Sequence, residues 1–164
     1  MVEIIVAALG ALTLAGVGGL LTTIGPWYRA LRKPGWQPPD WAFGPAWTII
    51  LSMAAISAVL AWRAATPDLY PMVLILFGVN ALFHLLWTPL FFNLRRPDWA
   101  FIEVTFLWGS LAAMIIRLWP ISVTASLLLV PYIAWVTFAA YLNWTIIRLN
   151  APFGVSQGAS RSPG

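Results

Sequence analysis

Residues 4–24 read IIVAALGALTLAGVGGLLTTI. This apolar run is long enough to cross a bilayer, since a transmembrane helix needs about 20 predominantly apolar residues. Met1, Val2 and Glu3 precede it without the basic flank of a cleaved signal peptide, so the run is expected to be retained as a helix. Within it Ala7, Ala11, Ala15 and Gly19 recur every four residues, on one stripe of a helix. In lipid, helices associate through close packing, and small residues let backbones approach. The stripe is therefore expected to meet another helix, in the same chain or in a second protomer.

The rest of the chain fits the same solvent. Of its 164 residues 61% are hydrophobic, 9% are charged and 11 are Trp. A soluble domain carries about 25% charged residues, so too few are present to wet a globular surface. The chain has room for four to six spans and none for a large soluble domain. Nine Lys and Arg against five acids give a net charge of +4. These basic residues fall in ones, twos and threes between apolar runs, as loop charges that set topology do, so nucleic acid is not an expected partner. The absence of Cys excludes disulfides, thiolate metal sites, iron–sulfur clusters and a Cys nucleophile.

After the first run the composition changes. From Pro26 to Pro45 the sequence mixes Pro34, Pro38 and Pro39 with Trp27, Trp36, Trp41, Arg29, Arg32 and Lys33. Prolines lack the backbone N–H, and aromatic and basic residues suit the headgroup zone, so an ordered interfacial loop of about 20 residues is expected. Loops of that length are often lids or binding loops. Four further spans are expected at about Ala46–Trp62, Tyr70–Phe92, Trp99–Leu118 and Ile121–Leu149, the last kinked or with a freed carbonyl at Pro131. Short connections make neighbouring spans antiparallel. Residues 1–150 thus form one five-helix transmembrane domain, and residues 151–164 a Gly-, Ser- and Pro-rich tail expected to be mobile. Five spans put Arg29, Arg32, Lys33, Arg95, Arg96, Arg148 and Arg161 on one side and only Arg63 and Arg117 on the other. The positive-inside rule then makes the C-terminus cytoplasmic.

Polar residues inside lipid are functional suspects. Asn80, His84 and Trp87 lie on one stripe of the third span, either as an interhelical hydrogen bond or as ligand contacts. A metal site is not expected, because the chain has one His, no Cys and no acid at ligand spacing from His84. Glu103 falls about 8 Å along its helix from Asp98 and is expected near the interface, capping a polar contact. On the last span Trp135, Ala139, Leu142 and Asn143 share a face in which small Ala139 leaves room for a flat ligand against the indole. No Gly-x-Ser-x-Gly elbow, phosphate loop or carboxylate pair is present. Trp27, Trp36, Trp41, Trp62, Trp99 and Trp119 sit where interfacial belts occur, whereas Trp47, Trp87, Trp108 and Trp135 lie within spans. Indoles inside a bundle offer flat walls for an aromatic or sterol-like guest.

The run Trp27-Tyr28, Leu31, Lys33-Pro34-Gly35-Trp36-Gln37-Pro38-Pro39, followed by Phe43-Gly44-Pro45-Ala46-Trp47, resembles the translocator protein family, also called tryptophan-rich sensory proteins or peripheral benzodiazepine receptors. Trp87-Thr88-Pro89-Leu90-Phe91-Phe92, Trp99 with Glu103, and Pro131-Tyr132, Trp135, Leu142-Asn143 and Arg148 extend the resemblance over nearly the whole chain. It implies an all-α membrane bundle of five helices with a long loop between the first two, often homodimeric. It also implies a tetrapyrrole or sterol ligand held among membrane lipids, with protoporphyrin IX or heme as ligand and no obligatory cofactor. Trp47 and Trp135 are the pair that the family implicates in porphyrin handling. Trp87, Trp99, Ala139 and Leu142 are the implied pocket walls and Tyr28, Phe43 and Gly44 the implied lid and pocket mouth, and Asn80 and His84 from the polar stripe, with Phe138, complete the expected ligand site. Tyr141, Trp144 and Arg148 are the sterol-associated positions, although six residues separate Tyr141 from Arg148 where the family pattern allows up to five. His84 stands where many members have Asn; it adds a titratable group and a candidate axial ligand for a metalloporphyrin.

The leading expectation is a receptor or sensor that binds tetrapyrroles, with a transport or regulatory output. The alternatives are an enzyme of light- and oxygen-dependent porphyrin breakdown acting through Trp47 and Trp135, and a sterol or lipid carrier. The dimer face is open: the small stripe nominates the first helix, the resemblance the third. Short loops read as bacterial, with the outer membrane among the locations left open because eukaryotic members reside in the mitochondrial outer membrane.

Overall fold

The computed structural model describes residues 1–153, so the expected tail, residues 151–164, lies outside the described residues from position 154 onward. Among these residues there are helices and no strand. Helix α1 spans Val2–Leu21, α2 Pro26–Ala30, α3 Asp40–Ala64, α4 Tyr70–Thr88, α5 Pro97–Leu118, α6 Val123–Leu128 and α7 Val130–Asn150. Five segments are long and apolar enough to cross a membrane: α1, α3, α4 with its flanking turns, α5, and α6 joined to α7. In lipid every backbone polar group must be satisfied internally, which is why each span is helical almost from end to end.

Two expected boundaries move. The long loop ends at Pro39, because Pro45 sits inside α3 rather than before it. A proline removes the hydrogen bond to the carbonyl four residues back, and here that carbonyl belongs to Trp41 in the exposed first turn, where the headgroup region can solvate it. The last span is interrupted at Leu129, with Pro131 placed in the first turn of α7, where no helical N–H is required. The freed carbonyl expected at Pro131 thus becomes a break between two helices. Ser126 stabilises the region by donating its hydroxyl to the Ile115 carbonyl at 2.9 Å.

The third span also changes pitch. After Thr88 the chain enters a wide turn, Pro89–Asn93, closed by the Leu94 N–H on the Pro89 carbonyl at 2.9 Å. Arg95 takes a left-handed φ of 55°, which brings the Arg96 N–H to the Leu90 carbonyl at 3.0 Å. Pro97 then opens α5, its missing N–H being one that a first helical residue does not use.

α5 packs against α4 and α7, α3 against α6 and α7, and α1 along α3 and α4. The main core joins Val104, Leu107, Leu111 and Met114 of α5 to Ile50 and Ala61 of α3 and to Tyr132 and Val136 of α7. Hydrogen bonds between spans reinforce it: Ser57 Oγ donates to Ala125 O at 2.7 Å, and Trp108 Nε1 to Thr137 Oγ1 at 2.9 Å. Arg63 pairs with Glu3 at 2.8 Å, so the start of α1 and the end of α3 share one side. On the other side the Arg32 N–H donates to Asn150 Oδ1, and Asn150 Nδ2 returns a bond to Arg32 O, each at 2.8 Å. The first loop and the end of α7 are thereby tied together, which agrees with the five-span topology.

α1 meets a helix of the same chain, α3, as its small residues predict, but one end of the stripe does something else. No residue of α1 is buried, and a Cβ added at Gly10, Gly16, Gly18 or Gly19 would touch nothing within 4 Å. Ala15, Gly18 and Gly19 instead border a cavity. At this end the small residues leave space and bring no backbone close.

Candidate functional site

The cavity has a volume of about 480 Å³ and lies among α1, α3, α4, α5 and α7, beneath the segment that connects α1 to α3. That size is within the usual range for small-molecule sites. Its roof is built from the proline-rich segment. α2 is short because Pro26 starts it and the backbone turns extended at Leu31, and that turn of helix is enough to send Tyr28 downward into a buried position. The Tyr28 hydroxyl donates to Asp40 Oδ1 at 3.0 Å, and Gln37 Nε2 donates to both, at 3.2 and 3.3 Å. Lys33 places its ammonium 3.4 Å from the centre of the Tyr28 ring. Burial, together with the Asp40 carboxylate beside it, pushes the Tyr28 phenol up to about 12.

The walls are aromatic. Trp47 from α3 meets Trp135 from α7 edge to face, with ring centres 6.3 Å apart, and Phe43 approaches Trp135 at 5.8 Å. Trp87 stacks on Phe91 at 5.0 Å. Helical spacing explains the convergence, since Phe43 and Trp47 are one turn apart on α3, and Trp135, Ala139 and Leu142 follow one stripe of α7. Deeper in, Trp47 packs 4.8 Å from the His84 ring, and His84 Nδ1 shares a hydrogen bond with the Tyr132 hydroxyl at 3.0 Å.

The polar inventory of the walls is partly unspent. Trp87 Nε1 and Trp135 Nε1 are buried without an acceptor. A buried donor left unpaired costs about 1–3 kcal/mol, so a guest that offers acceptors there recovers that cost. The arrangement suits a large, flat, mostly apolar guest with a few acceptor groups at its edge.

Of the ligand-site positions expected from sequence, Tyr28, Phe43, Gly44, Trp47, His84, Trp87, Trp135, Ala139 and Leu142 line this cavity. Three do not. Asn80 is turned to α5 and donates to Ser110 Oγ at 2.9 Å, the interhelical bond that was one of its two readings. Trp99 is exposed beneath the Arg96 guanidinium, 4.4 Å away. Phe138 packs on Trp135 and Trp36 rather than on the cavity. The sterol-associated set faces outward: Tyr141 is 55% exposed and stacks on Trp36, and Arg148 lies over Trp144. Asn143 borders the cavity, but its amide lies against the start of α5, where the orientation that satisfies both ends donates to Pro97 O and accepts from the Phe101 N–H.

Glu103 overturns its expectation. It is only 7% exposed, and neither carboxylate oxygen has a partner, so it caps no interfacial contact. Its position one turn from Leu107, in the most buried helix, carries it inward. Ala15, Gly18 and Gly19 of α1, with Thr88 and Phe91 after Trp87, are cavity residues that sequence reading did not assign. The spacing of the small residues is the available signal, and it fits helix contact as well as open space.

The TspO/MBR family profile matches residues 4–149. The chain is 38% identical over 128 residues to a tryptophan-rich protein TspO of Chlorobaculum tepidum, covering 76% of this chain and 79% of that one. It is 34% identical over 132 residues to a tryptophan-rich sensory protein of Cereibacter sphaeroides, with 80% and 82% covered. With a translocator protein of Homo sapiens the identity is 32% over 126 residues, covering 76% and 75%.

Proposed function

The chain belongs to the TspO/MBR family, and on that premise we propose that this multi-pass membrane protein is a receptor or sensor that takes a tetrapyrrole into its aromatic cavity. Protoporphyrin IX is the first ligand to test. The supporting observation is the pair of unpartnered indole donors, Trp87 Nε1 and Trp135 Nε1, in a cavity whose walls combine the rings of Tyr28, Phe43, Trp47 and Phe91 with aliphatic side chains. A macrocycle edged with carboxylates supplies a flat apolar body for Trp47 and Trp135 and acceptors for donors that now have none. The relatives' names, sensory protein and translocator protein, are of the same kind.

Titration of the purified protein with protoporphyrin IX should quench Trp emission saturably. Quenching that only rises linearly with porphyrin removes the proposal. In Trp135→Phe, which loses one donor and keeps an aromatic ring, affinity should fall about ten-fold, the size of one buried hydrogen bond. Under illumination the bound porphyrin should keep its absorbance. Bleaching that disappears in Trp47→Phe with Trp135→Phe would move the assignment from receptor to enzyme.

A further inference from the structure

His84 is the only histidine in the chain, and it faces the cavity with one ring nitrogen already engaged. Nδ1 is 3.0 Å from the Tyr132 hydroxyl, and Tyr132 is only 1% exposed, so its side chain is fixed by the α3, α5 and α7 core. Trp47 closes edge-on against the same imidazole at 4.8 Å. The ring is thus held from two sides, while Nε2 has no partner among the described residues.

This is the arrangement in which histidine binds metals. A ligating imidazole coordinates through one nitrogen while the other is bonded to a neighbouring oxygen, which fixes the tautomer and the ring plane. The Tyr132 hydroxyl can accept from Nδ1–H, and the lone pair then resides on Nε2, on the cavity side. No other side chain on the cavity wall offers a comparable donor to a metal: the indole nitrogens carry hydrogens and have no available lone pair, and Asp40 is engaged by Tyr28 and Gln37 in the roof. A lone imidazole and an aromatic box do not make a site for a free metal ion, which needs three or four protein ligands. They fit a metal that brings four in-plane ligands of its own and leaves an axial position open.

We infer that the cavity takes an iron porphyrin with His84 Nε2 as the axial ligand of the iron, held in that role by Tyr132 as a positioning residue. The inference rests on the tetrapyrrole reading of the cavity and adds to it a preference for the metallated ring. The Nε2 lone pair forms the iron–nitrogen bond, a weakly held water on ferric iron leaves, and neither iron nor protein changes oxidation state. A neutral imidazole is a usual axial ligand of porphyrin iron. The indoles of Trp47 and Trp135 supply walls to the macrocycle, and the free-base ring uses those without the axial bond.

The test titrates the full chain in detergent with hemin and, separately, with metal-free protoporphyrin IX. Hemin should give a Soret band and an electron paramagnetic resonance spectrum characteristic of nitrogen ligation. His84→Asn should remove both signatures and weaken hemin binding at least about ten-fold more than it weakens free-base binding, with an unchanged thermal unfolding transition showing that the variant is folded. Imidazole added to His84→Ala should restore the Soret position. Tyr132→Phe should keep nitrogen ligation but weaken hemin about ten-fold, the usual size of the effect when the partner of a ligating histidine is lost. If His84→Asn binds hemin with the wild-type spectrum, or loses both porphyrins equally, His84 is only a packing residue and the inference falls, with the tetrapyrrole reading intact. If neither porphyrin binds the wild-type chain, both readings fall. Hemin bound with the nitrogen signature while the free base fails to bind would uphold the inference and narrow the wider reading to metallated rings.

Discussion

α1 and α5 are both uncomplicated membrane spans by length and composition, yet the structure uses them in opposite ways. α1 is the most apolar of the five and buries none of its residues. α5 is the least apolar and the most buried, and it carries Glu103, Ser110 and the central core residues Leu111 and Met114. In water the more apolar helix would be at the centre. In a bilayer the tails solvate Leu as well as another helix does, so burial follows packing shape and hydrogen bonding. α5 earns its position through complementary contacts with α4 and α7, and α1, with no buried residue, lies outside as one wall of the cavity.

The largest effect that tests this contrast is on stability. Leu111, with no exposure, should cost about 2–5 kcal/mol when changed to Ala, because the void left in a packed core cannot refill. Leu12, 69% exposed on α1, should cost less than about 0.5 kcal/mol for the same change. Denaturation of the two variants in one detergent measures both, and similar losses would make α1 as much a part of the core as α5. The next effect is on binding. Gly19→Leu on α1 extends a side chain into open space at the cavity edge, so stability should hold while protoporphyrin IX affinity falls about ten-fold, a change of about 1.4 kcal/mol. Unchanged affinity would remove α1 from the cavity wall.

The smallest effect concerns the roof, which is fastened by polar contacts where the walls are apolar. Tyr28 keeps its proton to about 12 in the folded roof against an ordinary 10, so the opened roof is the first to lose it as pH rises. The stabilisation is therefore complete below pH 10 and is lost as pH rises through about 12. Porphyrin release should accelerate across that interval in the wild type. In Tyr28→Phe, which lacks both the ionisation and a hydrogen bond worth about 1 kcal/mol, release should be faster at neutral pH and lack that acceleration. Equal pH profiles in the two proteins would mean that Tyr28 does not hold the roof.

Much of this was legible one helix at a time. Trp47, Trp87, Trp108 and Trp135 stand apart from the interfacial indoles by lying within spans, and all but Trp108, which is exposed and bonded to Thr137, reach the cavity. Pro131 marks the interruption of the last span, although a single proline does not say whether a helix bends or restarts. Pro45 misled because the rule against proline holds for helix interiors, and its cost depends on whether the freed carbonyl meets lipid or the headgroup layer. Glu103 was misplaced for a related reason: distance along the helix from Asp98 gives depth, whereas rotation about the axis decides between interface and core.

The sequence by itself determined the number of spans, their ends to within a turn or a few residues, the sharing of charge between the two sides, and which aromatic residues lie at membrane depth. Each of these follows from the requirement that an apolar segment satisfy its own backbone in a bilayer of fixed thickness. Only the tertiary structure decided that the α1 stripe opens on a cavity, that Asn80 is spent on Ser110, and that Tyr132, 48 positions away, engages His84 Nδ1. Those facts depend on how each helix is rotated against its neighbours. Lipid tails leave that rotation free, and the fit of side chains across the bundle fixes it.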